Sequence, residues 1–214
     1  MIEHLLSQLR ALPEGPHRII LHWTGGGPEP NESDMEAYHA MVGQSGRIYA
    51  GVAIARNMRR IPPGTPMTEY AAHAGGINSW SVGVALCGMR EAVPGGPYGP
   101  APITEKQLRV AVELVARMVQ ATGLSVEPET VMTHWEVYHL HRIGRPGKWD
   151  ITELPWDPSV ADDEVGPLIR EQVRQALVAP ADFQPEIRRL AADVHRPHGT
   201  PPWRAPLRPT TKGD

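Results

Sequence analysis

Three segments of this 214-residue chain place metal-competent side chains where a plain core would want apolar ones. His22 stands near the end of the apolar run RIILHW (Arg18 to Trp23), just ahead of a glycine turn. A strand-end imidazole can face a cleft and bind metal through its neutral nitrogen, although a hydrogen-bonded or partly exposed His is the ordinary alternative. His134 follows the short apolar run Val131 to Thr133 in the same way, within Thr133-His134-Trp135-Glu136. Asp150 closes the segment Gly147-Lys148-Trp149-Asp150, 16 positions further on. Two His and one carboxylate form the open three-ligand set of a catalytic zinc, with the fourth position left for water. Zinc lowers the pKa of such a water toward ~7 and polarises a substrate carbonyl. Lys148 would then offer a cation to the oxyanion of a hydrolysis. Spacing alone does not select this triad, because ten His allow many pairings. His139 and His141, which precede Asp150, stay open as ligands.

The elements that must position these residues read as strands mixed with helices in one α/β domain. Ile2, Leu5, Leu6, Leu9 and Leu12 keep helical spacing up to Pro13 and Gly15. Arg18 to Trp23 and Ser81 to Leu86 read as buried strands, and Val131 to Thr133 as a short one. Ser33 and Glu36 resemble a capping box opening a helix through Ala37. Tyr38 to Val42 and Arg47 to Val52 flank Gln44-Ser45-Gly46 as a hairpin. Thr104 opens a helix reaching about Ala121, and Pro167 opens another reaching Val178. Glu186 to Val194 is helix-like, and the Pro- and Arg-rich stretch His195 to Asp214 reads as loosely ordered. The expected organisation is therefore one domain over residues 1–180 and an extension over 181–214.

Five stretches occur in the order of a known family: IILHWTGG (Ile19 to Gly26), AYHAMVGQSGRIYAG (Ala37 to Gly51), AAHAGGINSWSVGVALCG (Ala71 to Gly88), MTHWEV (Met132 to Val137) and GKWD (Gly147 to Asp150). Together they resemble the type-2 N-acetylmuramoyl-L-alanine amidases, a family that includes phage amidase endolysins and animal peptidoglycan recognition proteins. The resemblance spans roughly residues 15 to 156. It implies a central mixed β-sheet flanked by helices, with zinc at one end of a substrate groove. It also implies His22 and His134 as ligands, and Asp150 as the third, a place held by Cys or Asp across the family. Tyr38 matches a Tyr that assists the attacking water, and Lys148 the Lys of the Lys-x-Cys or Lys-x-Asp signature. The implied reaction hydrolyses the amide between N-acetylmuramic acid and L-alanine, so the implied partner is peptidoglycan or a muropeptide. Two departures stand out. The interval between His134 and Asp150 is long, and Ala85 stands where many members carry Glu, which removes that residue as general base. His73, Asn78 and Trp23 are candidates for the substrate groove, against a loop hydrogen bond, a turn cap and plain packing respectively. His39 reads as packed inside, and Cys87 as a small buried residue.

Composition narrows the partners. A formal net charge of −3 gives no general basic field, which argues against nucleic acid. One Cys excludes an internal disulfide framework and Cys-rich zinc fingers. No apolar run approaches the ~18 residues that would span a bilayer. The N-terminal MIEHLLSQLRALPEGP, with Glu3, does not read as a secretory signal. The expectation is a monomer that is cytoplasmic as synthesised and reaches the wall as an endolysin once a holin opens the membrane. A cytoplasmic enzyme trimming soluble anhydro-muropeptides fits the same features. A module that binds peptidoglycan without cleaving it is the other alternative; the complete ligand set with Tyr38 and Lys148 favours an enzyme.

Overall fold

The computed structural model describes residues 1–144 and 146–178. The expected helix-like stretch 186–194 and the rest of the 181–214 extension lie outside the described residues. Five strands form one sheet: β1 (Arg18–Trp23), β2 (Ala40–Val42), β3 (Ile48–Ala50), β4 (Ser81–Leu86) and β5 (Val131–Thr133), in the order β3-β2-β4-β1-β5. β1 is parallel to both β4 and β5, β4 is parallel to β2, and β2 with β3 closes an antiparallel hairpin at the edge. Five helices accompany them: α1 (Ile2–Arg10), α2 (Glu32–Ala37), α3 (Glu105–Thr122), α4 (His134–His139) and α5 (Val165–Val178). The α/β class with a mixed sheet flanked by helices is thus the architecture observed.

Side chains on successive strand residues point to opposite faces, and that alternation divides the sheet into a core side and a site side. Ile19, Leu21 and Trp23 of β1 join Val82, Val84 and Leu86 of β4 in the main core, against leucines of α1 and the apolar faces of α3 and α5. The intervening residues face the other way. They are Ile20 and His22 on β1, Gly83 and Ala85 on β4, and Met41 on β2. Central parallel strands are covered on both faces, which is why RIILHW and SVGVAL read as near-continuous apolar runs.

Local chemistry sets the helix ends. Thr104 and Gln107 form a reciprocal capping box at the start of α3, and Gly123 ends it in the left-handed conformation at φ 71°. Gln107 Nε2 also donates to the carbonyls of Val42 and Cys87, tying α3 to the sheet. At α2 the box is formed by Asn31 and Asp34, so Ser33 lies inside the helix and the Ser33–Glu36 expectation is corrected. Asn caps as well as Ser, and the motif simply begins two residues earlier. α5 starts at Val165, ahead of Pro167, because a proline in the first turn removes an N–H that has no intrahelical acceptor there. α4, a single short helix directly after β5, was not expected from the sequence.

α5 is bound to this new helix by a buried ion pair. Arg170 donates to Glu136 Oε2 at 2.9 Å, to Oε1 at 2.8 Å and to the Val131 carbonyl at 3.0 Å. Gly166 makes room for the carboxylate, since a Cβ there would lie 2.2 Å from Glu136 Oε1. Removing one partner of such a pair leaves the other buried and uncompensated, at a cost of about 3–5 kcal/mol. Arg170→Ala is therefore expected to lower unfolding stability by about that amount in urea titration. A loss under about 1 kcal/mol would show that the pair is not what holds α5 to α4.

Candidate metal centre

The pairing of Leu21 with Thr133 brings the carboxyl ends of β1 and β5 side by side. His22 and His134 are the next residues along each strand. His22 continues the extended chain, whereas after Thr133 the backbone turns at once into α4. Thr133 Oγ1 accepts the Glu136 N–H at 3.3 Å, and Glu136 Oε2 accepts the Thr133 N–H at 2.8 Å. This box makes His134 the first residue of α4. Asp150 arrives from the long loop, and its carbonyl accepts the Trp135 N–H at 2.7 Å. Beside it, Trp149 packs edge-on against Trp23, with ring centroids 4.6 Å apart.

Three donor atoms converge there. His22 Nδ1 and His134 Nδ1 each lie 3.0 Å from Asp150 Oδ2, and the two nitrogens are 3.1 Å apart. Ligand atoms about 2.0–2.1 Å from a tetrahedral zinc are separated by roughly 3.3 Å, so this triangle fits such an ion to within a few tenths of an ångström. The donor set, two imidazoles and a carboxylate with one side open, suits zinc. The open side is that of His134 and Asp150, whose side chains are 12% and 10% exposed, whereas His22 is sealed at 0%.

Electrostatics favours a neutral His22 and an ionised Asp150. Burial pushes His22 down to about 4, against the opposing hydrogen bond it can donate to Asp150, with His134 and the Lys148 charge adding to the depression. For Asp150, burial works to raise the pKa. Hydrogen bonds with His134 and His22 overcome it and hold the carboxyl at about 2. At neutral pH His22 is uncharged and Asp150 is ionised.

Tyr38 sits next to His22, with ring centroids 5.3 Å apart, and its hydroxyl lies 3.5 Å from the Trp23 carbonyl. Burial first, and then the Asp150 charge, raises its phenol well above the ordinary range. The ring rests on Met41, Ala85 and Cys87. Cys87 is a buried free thiol pushed up to about 12 by burial, which makes it inert packing. Lys148 is on the exposed rim. His139 instead stacks on Trp135 at 4.1 Å, and His141 Nε2 approaches the Pro128 carbonyl at 3.4 Å, so neither joins the triangle.

Two of the groove candidates are buried and the third is half-buried. Trp23 and His73 are each 6% exposed, and the Asn78 carboxamide accepts the Ala74 N–H at 2.8 Å within a turn. His73 Nδ1 is 3.1 Å from His22 Nε2. That contact was missed in the sequence. Its only signal was Gly83, a glycine inside a strand, which marks close approach by another group.

The sequence profile of the N-acetylmuramoyl-L-alanine amidases matches residues 12–153. The chain belongs to that family. No curated protein sequence matches the amidase chain. Among solved structures, the Ph2119 endolysin from the Thermus scotoductus MAT2119 bacteriophage Ph2119 is 19% identical, covers 78% of this chain and 90% of its own, and has a TM-score of 0.42. The N-acetylmuramoyl-L-alanine amidase LysC from Clostridium intestinale URNW is 16% identical over 67% and 82%, at 0.41. The Drosophila peptidoglycan recognition protein SD is 16% identical over 72% and 81%, at 0.42. Membership of the amidase family rests on the sequence match, with all three candidate ligand positions inside its bounds.

Acid should unfold the metal-free amidase domain through its buried histidines. His22 and His39 titrate at about 4 and about 3 when folded, both lowered chiefly by burial, against about 6.5 in an unfolded chain. Between those values the unfolded state binds more protons, so stability rises with pH and is lost as pH falls from about 6.5. Each histidine contributes a slope of about 1.4 kcal/mol per pH unit near pH 5. Urea midpoints measured on metal-free protein from pH 7 to 4.5 should fall steeply; a flat profile would show that these imidazoles accept protons while folded.

Proposed function

We propose that the chain is a zinc-dependent amidase of the wall-lysing, endolysin type, cleaving the bond between N-acetylmuramic acid and L-alanine of peptidoglycan. The observation that carries this reading is the 3.0–3.1 Å triangle of His22 Nδ1, His134 Nδ1 and Asp150 Oδ2, in a chain of the N-acetylmuramoyl-L-alanine amidase family. These three residues hold the metal, and the catalytic domain spans residues 1–180. A zinc ion held by them would supply an acidified water, with a pKa toward ~7, and a polarised carbonyl. With that supply, no carboxylate base is needed at Ala85. Tyr38 stays protonated and orients the attacking oxygen through its hydroxyl. Lys148 reaches from the rim to the developing oxyanion. His73, buried behind His22, keeps bulk water from the rear of the site. His73 and the turn held by Asn78 shape that rear wall, whereas Trp23 packs in the core beside Trp149.

Substitution separates these roles. His22→Ala and Asp150→Ala should abolish zinc binding and wall lysis together, and full activity in either would sink the ligand assignment. Tyr38→Phe and Lys148→Ala should keep zinc while losing about 10²–10³-fold in kcat. A wild-type domain that binds muropeptide without zinc or turnover would instead be a recognition module. Turnover should be faster on intact sacculi than on soluble anhydro-muropeptide. The reverse preference would replace lysis with recycling.

A further inference from the structure

Resting on the zinc reading of the triad, we infer that His73 is a positioning residue: its Nδ1 accepts the Nε2 proton of His22 and thereby holds His22 in the tautomer that presents Nδ1 to the metal. A ligating nitrogen carries no proton, so a neutral His22 bound through Nδ1 must bear its proton on Nε2. His22 is fully buried, and Nε2 faces His73 Nδ1 at 3.1 Å with the rings near perpendicular at 81°. Metal-ligating imidazoles ordinarily give their second N–H to a carboxylate, carbonyl or water; here the acceptor is another imidazole. The choice propagates one residue further. His73 must then be protonated on Nε2, a buried atom with no close hydrogen-bond partner among the described residues, although the Ser81 backbone interacts favourably with the ring.

The surroundings are shaped to put that ring there. A Cβ on Gly83 would lie 2.5 Å from His73 Cγ, so a side chain at this point of β4 would displace it. On one side of His73, Asn57, itself fully buried, clamps Ala71 by accepting its N–H at 2.8 Å and donating to its carbonyl at 3.0 Å. On the other side, Asn78 accepts the Ala74 N–H at 2.8 Å. The loop AAHAGGIN is thus pinned before and after His73, which assigns a task to Asn78 and to the strand glycine.

The test compares zinc affinity of the intact chain, by competition with a chromophoric chelator, for wild type, His73→Phe and His73→Gln. Phe fills the ring's space without an acceptor, whereas Gln restores an oxygen acceptor. The Phe variant should bind zinc about 10–100-fold more weakly, and the Gln variant should recover most of that loss. Melting temperatures of the metal-free forms report packing separately. A merely structural role would lower both melting temperatures and leave zinc affinity unchanged, overturning the inference. Independently of any variant, nitrogen–proton correlation spectra of zinc-loaded wild type should show His22 and His73 each protonated on Nε2. A proton on His73 Nδ1 would overturn it. Wild type that takes up no zinc would overturn the metal reading itself, and this inference with it.

Discussion

Leu21 pairing with Thr133 across the parallel β1–β5 ladder is the constraint on which the site depends. Parallel strands present their carboxyl ends on one edge, and ligands of open α/β sheets gather there. Here the register leaves His22 and His134, 112 residues apart in sequence, with their Nδ1 atoms 3.1 Å apart. A shift of one residue would turn His22 into the core face that Leu21 and Trp23 occupy, because side chains alternate along a strand. The apolar packing that stabilises β1 therefore also sets which face the imidazole takes. Asp150 is joined to the pair by a main-chain bond from Trp135, so its position does not depend on the course of the loop between them. The long His134–Asp150 interval is closed at its end by this one main-chain bond.

Holding three polar groups this closely has a desolvation cost, and the fold meets it with further fixed groups. Glu136 caps α4 at Thr133 and is itself neutralised by Arg170 from α5. The start of α4, and with it His134, is thereby tied to a helix packed on the far side of the sheet. On the site face, β4 offers Gly83 and Ala85, small residues that leave room for the His73 ring and for Tyr38. The main core and the site share the same strands and differ only in which alternate residue is read.

These particulars explain what was legible in the sequence. β1, β4 and β5 were readable to the residue because central parallel strands are continuous apolar runs bounded by turns or by polar ligands. The triad was legible through motif order, and Asp150 most clearly through its neighbour Lys148. α4 was not, because one and a half turns of helix carry no period to detect, although Thr133 and Glu136 did spell out a capping box. The His22–His73 contact joins residues 51 positions apart, and no local pattern encodes it. The glycine inside β4 makes room for the His73 ring, a neighbour that no residue near it in sequence supplies.

The choice of imidazole as the partner of His22 bears on the missing carboxylate at position 85. A carboxylate acceptor would pull strongly on the His22 proton and make Nδ1 a more basic, more charge-donating ligand. A neutral imidazole pulls less, so His22 passes less charge to whatever Nδ1 binds, and a bound cation keeps more of its power to acidify water and polarise a carbonyl. Ala85 leaves the site without a strong base of its own, and Tyr38 is held in its protonated form by burial. Activation would then come, on the proposed reading, from a bound cation and not from a carboxylate at position 85. On the proposed reading, the weak acceptor behind His22 and the small apolar residue beside Tyr38 are two parts of one solution.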